Sequence, residues 1–126
     1  MITEQDYWQM THRPADSAVL LRWTPATAAM TDDDFKDALE AFADLAEGRR
    51  ARNLLVDVCN FRHQVGEALG GWRGEAIVPR YNRAGIRKFA YVVPGPGAPM
   101  GGAGEDFETR AFDSEAAALD WFREDA

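Results

Sequence analysis

Apolar residues recur along the chain with two different periods, and the change of period separates predicted strands from predicted helices. Residues 5–12 and 18–23 show strand patterns on either side of a short proline-containing turn, so we expect two antiparallel strands there. Residues 53–58 form a short, nearly continuous apolar run, which is typical of a parallel strand that is covered on both faces, and residues 86–93 are predicted to form another central strand. Residues 107–112 are predicted to form the last strand.

Two long segments between these strands show the spacing of an amphipathic helix. The first is expected to begin at Thr31, because its hydroxyl and the carboxylate of Asp34 can cap the open N–H groups, and Gly48 is expected to end it. The second extends over residues 66–82, and Pro79 must kink or split it, since proline has no backbone N–H to donate.

A third helix is expected after the last strand, with Asp113 as its cap and Trp121 or Phe122 packing inward. The complete order is then β-β-α-β-α-β-β-α. Strands that alternate with helices favour right-handed crossovers between parallel neighbours. We therefore predict an α/β fold that forms a single domain over residues 1–126, with a mixed, mostly parallel β-sheet.

The charge balance argues against two classes of partner. The net charge is -7, whereas a nucleic-acid-binding protein needs a basic surface, and anionic membranes repel an acidic one. The basic cluster Arg49, Arg50 and Arg52 follows the first predicted helix and suits the negative end of its dipole. We therefore expect no nucleic acid among the partners. No apolar run approaches the ~20 residues that cross a bilayer, so we expect no membrane insertion either.

Cysteine usage and the first residues indicate the compartment. Cys59 is the only cysteine, so no internal disulfide can form, which favours a reducing environment. The N-terminal residues are acidic and lack the apolar centre of a signal peptide. We expect a cytoplasmic protein.

Several segments together form a distinctive pattern. They are residues 54–57, the helix that contains Trp72, residues 86–93, and residues 110–116 running into Leu119, Asp120 and Trp121. In this order they resemble the STAS-like fold of bacterial anti-sigma-factor antagonists, over residues 5–124, and look closest to an uncharacterised bacterial branch of that family.

The resemblance implies a regulatory or protein-interaction module without catalytic activity, and the architecture is also similar to that of lipid-binding CRAL-TRIO domains. The antagonists carry a phosphorylatable serine just after the central strand. Residues 60–67 contain no hydroxyl group, so the resemblance does not extend to a phosphorylation switch. Glu67 either supplies a fixed negative charge near that position or is an ordinary acidic residue at a helix N-terminus.

The position of a functional surface follows from the predicted topology. Ligands of open parallel sheets bind beyond the carboxyl ends of the strands, which places residues 23–31, 57–67 and 94–106 on one edge. Asp57 ends the central strand at this edge. Its carboxylate either accepts a hydrogen bond from a ligand or partner, or bonds the backbone of its own turn.

Cys59, Arg62 and His63 follow in the same loop and permit more than one chemistry. Cys59 and His63 form a nucleophile with its base, or Cys59 is an inert thiol. Arg62 and His63 bind an anion, or they are simply solvated. The histidine and cysteine spacing matches no zinc site, and the glycine-rich loop matches neither a P-loop nor a dinucleotide fingerprint. We therefore predict no metal and no cofactor.

Aromatic residues at the same edge favour an apolar site. Trp23, Phe61 and Trp72, with Met100, are predicted to line an apolar pocket beneath a lid formed by residues 94–106. Tyr7 and Trp8 lie on a predicted edge strand, where exposed aromatic side chains favour a homodimer.

These patterns predict a non-catalytic regulatory or protein-interaction module of the STAS-like type, without the phosphorylatable serine. One alternative is a binding protein for a small apolar or amphipathic, lipid-like ligand, and a further alternative is a cysteine-dependent enzyme. The candidate binding residues are Trp23, Asp57, Cys59, Phe61, Arg62, His63, Glu67 and Trp72.

Overall fold

A six-stranded sheet, with its strands side by side in chain order, forms the centre of the molecule. The computed structural model describes residues 2–4, 7–63, 66–93 and 107–124. The strands are β1 (Ile2–Glu4), β2 (Trp8–Arg13), β3 (Ala18–Trp23), β4 (Asn53–Asp57), β5 (Lys88–Val92) and β6 (Glu108–Phe112). The first three are antiparallel neighbours, and β3 to β6 are parallel. The expectation of a single α/β domain with a mixed sheet is confirmed.

The start of the predicted order is wrong, because one strand was missed. β1 pairs with β2, with Ile2 opposite Thr11, so three strands precede the first helix. The three-residue β1 is too short to show an alternating pattern of its own. Since β2 is bonded to β1 and β3, the strand that begins at Trp8 is not at the edge of the sheet.

The first helix, α1 (Asp32–Gly48), begins as expected and ends with a different geometry. Thr31 Oγ1 accepts a hydrogen bond from the backbone N–H of Asp34 at 3.2 Å, and the Thr31 N–H donates to the Asp34 carboxylate at 3.0 Å. Gly48 is the last helical residue, but the left-handed residue of the following turn is Arg50, with φ 52°. The bond from the Ala51 N–H back to the carbonyl of Ala46 closes this turn.

The second helical region is continuous but changes its winding before Pro79, as the proline requires. It consists of α2 (Glu67–Trp72), a π-helix (Arg73–Ile77) and α3 (Val78–Ala84). The Val78 N–H bonds the carbonyl of Arg73, five residues back. The wider turn accommodates a proline ring that would clash with the carbonyl four residues earlier in a regular α-helix. Gly85, with φ 81°, ends the region.

The last helix, α4 (Glu115–Arg123), is capped by Ser114 and not by Asp113. The Ser114 hydroxyl accepts a hydrogen bond from the N–H of Ala117 at 3.2 Å. Ser114 has the extended backbone of an N-cap, so its oxygen reaches the third N–H of the helix.

Helices cover both faces of the sheet, which explains the continuous apolar runs in the central strands. α1 and α3 pack on one face, where Leu54, Val56 and Phe89 belong to the larger core cluster. α4 packs on the other face with Leu55 and Ala90. Among the helices of the described ranges, none has the length and apolar composition needed to span a membrane.

Candidate functional site

A cavity of about 390 Å³ lies on the α1 face, at the carboxyl ends of β3, β4 and β5. This is the end at which ligands bind to open parallel sheets, and the volume falls in the range of roughly 300–1,000 Å³ that is usual for small-molecule sites. The described residues that line it are Trp23, Phe35, Leu39, Val56, Val58, Phe61, Arg73, Tyr81, Phe89 and Tyr91. Arg73 is the one charged residue among them, so the lining is mainly apolar.

Stacked aromatic rings form one wall of the cavity. The rings of Trp23 and Phe35 are nearly parallel, with centroids 5.7 Å apart. Phe61 packs against both, at 4.9 Å from Trp23 and 6.0 Å from Phe35. The three rings come from β3, α1 and the loop after β4, so this wall depends on the tertiary fold.

A second part of the lining combines aromatic rings with a cation. The Arg73 guanidinium lies over the ring of Phe89, 5.5 Å from its centroid, and its Nη2 donates a hydrogen bond to the Tyr91 hydroxyl at 3.2 Å. Tyr91 packs on Phe89 with centroids 4.9 Å apart. The π-helix therefore presents its first residue to the sheet, where hydrogen bonding and stacking orient the guanidinium.

Tyr81 contributes a buried hydroxyl that has no partner. The residue is 1% exposed, and its hydroxyl is the one buried side-chain polar atom without a hydrogen bond among the described residues. Burial raises the pKa of Tyr81, so its hydroxyl stays protonated. The oxygen itself is buried, so the hydroxyl is an unpaired donor enclosed by its packed neighbours, which costs free energy.

Thr27 joins two of the segments that were predicted to meet at this edge. Thr27 lies in a 3₁₀ turn (Pro25–Ala29), and its buried hydroxyl donates to the carbonyl of Thr24 at 2.8 Å. The same oxygen accepts a hydrogen bond from the backbone N–H of Arg62 at 2.7 Å. Residues 23–31 and the described part of 57–67 are therefore neighbours, while residues 94–106 lie outside the described residues.

The candidate residues of the loop after β4 have different environments. Phe61 lines the cavity with Trp23, whereas the side chain of Arg62 is exposed. His63 is mostly buried; its Nε2 is 2.8 Å from the Asp32 carboxylate, and its ring stacks on Phe35.

The two candidates on α2 do not contribute to the lining found for the described residues. Glu67 is exposed in the first turn of the helix, a position that suits an acidic residue. Trp72 is half-buried beneath the ammonium group of Lys36, which is 5.6 Å from its ring centroid. Of the eight candidates, Trp23 and Phe61 line the cavity. The predicted pocket residue Met100 lies outside the described residues.

Asp57 and Cys59 lie on the opposite face of the sheet, toward α4. The Asp57 carboxylate accepts a hydrogen bond from the backbone N–H of Cys59 at 3.0 Å, so it bonds its own turn. Cys59 packs against the α4-side cluster, with its Sγ 3.8 Å from the carbonyl of Val92. On the same face, Arg22 forms a two-pronged ion pair with Glu115, at 2.7 and 2.6 Å.

Cys59 and His63 are consequently not arranged as a nucleophile and base. They belong to opposite faces of the sheet, and the imidazole is engaged with Asp32. Burial and the adjacent Asp57 raise the pKa of Cys59, which favours the thiol over the reactive thiolate.

A second cavity, of about 210 Å³, lies at the amino ends of the strands and is lined largely by charged and polar groups. The Asp16 carboxylate, which is nearly fully buried, accepts hydrogen bonds from Arg13 at 2.9 Å and from Arg123 at 2.8 Å. The Arg123 hydrogen bond is the main cause of a lowered pKa for Asp16. Lys88 donates to the carbonyl of Trp121 at 2.6 Å. These contacts attach α4 to the sheet, which assigns this region a structural role.

Arg73, Tyr81 and Tyr91 are the site residues that sequence reasoning missed. Pro79 indicated an irregular helix, but it did not show which side chain turns inward. Tyr91 was recognised only as part of a predicted central strand. Its hydroxyl meets Arg73 because the strand and the helical region are packed together.

Within the described ranges, no group of three histidine, cysteine, aspartate or glutamate side chains is arranged to hold a metal ion. Comparison of the chain with protein-family models, with curated proteins and with solved structures finds no match. We therefore infer a function from the geometry of the chain itself.

Proposed function

We propose that the protein binds a small apolar or amphipathic molecule in the cavity between α1, the π-helix and the sheet. The observation that carries the proposal is the lining: seven of its described residues are aromatic rings or branched aliphatic side chains from β3, β4, β5, α1 and the loop after β4, beside one cation and two tyrosine hydroxyls. An apolar cavity with a few convergent polar groups is the usual form of a small-molecule site.

Contacts that connect the loop wall to the rest of the fold support this proposal. The loop wall is held to the rest of the fold by the Thr27–Arg62 hydrogen bond and by the contact of His63 with Asp32. A cavity that persists without its ligand needs such supports, because apolar walls otherwise collapse onto one another.

A regulatory, STAS-like role is the second candidate function, and one observation favours it. The backbone of the loop after β4 is anchored, while the side chain of Arg62 and that of Glu67 at the start of α2 remain exposed. A fixed loop with outward-facing charges is suited to recognition by a protein partner. Ligand binding in the adjacent cavity would then control how these exposed side chains are presented to the partner.

Titration with octan-1-ol by isothermal calorimetry tests cavity binding with a neutral probe. Burial contributes about 0.8 kcal/mol for each CH₂ group, so an eight-carbon chain binds measurably if the cavity accepts it. Leu39→Phe, which places a larger ring at the lining, is expected to abolish binding. The matched control is Leu119→Phe, the same change on α4, which should leave binding unchanged. Absence of saturable binding, or equal binding by both variants, contradicts the proposal.

A further inference from the structure

A third cavity, of about 430 Å³, lies at the amino ends of β4 and β5, at the opposite end of the strands from the apolar cavity. Three arginines line it: Arg50 in the turn after α1, Arg52 just before β4, and Arg87 just before β5. Ala84 and Gly85, at the end of α3, line it with small side chains that leave the space open. We refer to it as the basic cavity.

The three guanidinium groups have no ion-pair partner among the described residues. Glu47 is the one acidic residue in the described lining, and its carboxylate accepts hydrogen bonds from Arg80 at 3.1 and 3.0 Å. The side chains of Arg50, Arg52 and Arg87 are exposed and form no hydrogen bond to a carboxylate or to a helix carbonyl in the described ranges. The chain has 21 acidic and 14 basic residues, so a shortage of carboxylates does not explain these unpaired cations.

Backbone hydrogen bonds hold two of the arginines side by side. The carbonyl of Arg52 accepts a hydrogen bond from the N–H of Arg87 at 2.6 Å, and the Arg52 N–H donates to the carbonyl of Ser17 at 2.9 Å. Neighbouring strands lie about 4.8 Å apart, so the two side chains start from adjacent positions. The fold therefore concentrates positive charge here instead of dispersing it.

The backbone of Arg50 is in an unfavourable conformation for an arginine. Its φ is 52°, in the left-handed region that glycine adopts without cost and other residues adopt with a loss of free energy. Backbone strain of this kind is concentrated at functional sites, where a particular side chain is needed. Arg50 therefore joins the two neighbouring arginines as a candidate ligand-binding residue.

The number of cations specifies the charge of the ligand. Three neighbouring positive charges repel one another, and an anion with more than one negative charge relieves this repulsion best. A phosphate group carries about two negative charges near pH 7, and its oxygens match the planar fork of a guanidinium. A nucleic acid requires a longer basic surface, and the net charge of -7 repels it.

We infer that the basic cavity binds a phosphate group, either as the free ion or carried by a small molecule, through Arg50, Arg52 and Arg87. The site is separate from the apolar cavity and does not depend on the proposed function. Arg52 and Arg87 also line the polar cavity of about 210 Å³, but their side chains have no part in the contacts that attach α4.

The test titrates the ¹⁵N-labelled chain at pH 7 and constant ionic strength with inorganic phosphate, glycerol 3-phosphate, acetate and a thymidine decanucleotide. The backbone amide signals of Arg52, Ala84 and Gly85 are expected to shift and saturate with both phosphates, and acetate is expected to bind at least about tenfold more weakly. Tighter binding of glycerol 3-phosphate than of inorganic phosphate would assign the site to a phosphorylated molecule, and the reverse order to the free ion. Binding of acetate as tight as that of phosphate, tighter binding of the decanucleotide than of both phosphates, or no saturable shift overturns the inference.

Substitutions separate a ligand-binding role from a structural one. Arg52→Gln and Arg87→Gln should each weaken phosphate binding by about tenfold, whereas Arg62→Gln, the same change in the exposed loop after β4, should leave it unchanged. Arg50→Gly should weaken binding without lowering the melting temperature of the ligand-free chain, because glycine tolerates the positive φ. An equal loss of binding in Arg62→Gln, or full binding by Arg50→Gly together with a lower melting temperature, contradicts the inference.

Discussion

Arg73 donates a hydrogen bond to the Tyr91 hydroxyl at 3.2 Å, and this contact joins the π-helix to β5 at the wall of the cavity. The irregular winding before Pro79 thus has a consequence beyond accommodating a proline. It places a cation against an otherwise apolar lining. π-helical turns are frequent at functional sites.

The hydroxyl of Tyr81 is expected to contribute nothing to the stability of the ligand-free chain. Tyr81→Phe should leave the free energy of unfolding equal or slightly higher, because a buried donor without a partner is removed. Tyr81→Ala, which also deletes the buried ring, should lower it by about 3–5 kcal/mol. Urea denaturation measures both. A clear loss of stability in Tyr81→Phe would mean that the hydroxyl is bonded in the folded chain.

The empty space beside Leu39 should make that position tolerant of a larger side chain. Leu39→Phe is expected to cost less stability than Leu20→Phe, because Leu20 lies in the closely packed cluster beneath α4. Overpacking such a position costs about 1–3 kcal/mol. Thermal denaturation of the two variants checks the order. Equal losses would argue that the cavity is closed in solution.

The hydroxyl of Thr27 should stabilise the loop after β4, which contributes Phe61 to the cavity wall. Thr27→Val preserves the shape of the side chain but leaves the Arg62 N–H without its acceptor, so a loss of about 1–3 kcal/mol is expected. Thr27→Ser keeps the hydroxyl and should lose less. Amide hydrogen exchange at Arg62 should quicken in the valine variant and stay slow in the serine variant. Unchanged exchange in Thr27→Val would show that the loop is held by other contacts.

The ion pairs of Asp16 predict a specific response to acid. Its pKa in the folded chain is lowered, mainly by the Arg123 hydrogen bond, so it lies below the unfolded value of about 3.9. The stabilisation is therefore complete above that pH and is lost as the pH falls through the folded pKa. Asp16→Asn should be less stable than the natural chain by about 1–3 kcal/mol at pH 7, and the difference should shrink below pH 4. Denaturant titrations at pH 7 and pH 3 measure it. A difference that is the same at both values contradicts this role.

Much of the fold was predictable because strong local signals agree with the tertiary structure. The capping box at Thr31 and Asp34 is local, and the apolar run that contains Leu54 reports burial on both faces. The missed strand β1 is too short to give a local signal, and the cap of the last helix was assigned to the wrong one of two adjacent residues. Ser114 and Asp113 are both good caps, and backbone geometry selects the serine.

The site was harder to predict, since its polar groups come together only in three dimensions. Placing Trp23 and Phe61 at the carboxyl edge followed from topology alone, and both line the cavity. Topology does not state which face of the sheet a loop residue reaches, so Asp57 and Cys59 were grouped with residues from which the sheet separates them. The inward position of Arg73 depends on the register of a π-helix, and the spacing of apolar residues in the sequence does not reveal that register.

Chemical-shift mapping during a titration with octan-1-ol tests the central claim, that a ligand is held on the α1 face, most directly. The account predicts that the methyl signals of Leu39, Val56 and Val58 shift and saturate together, while those of Leu20 and Leu55 beneath α4 stay in place. Shifts confined to the α4 face, or no saturable shift at the three lining residues, would contradict it.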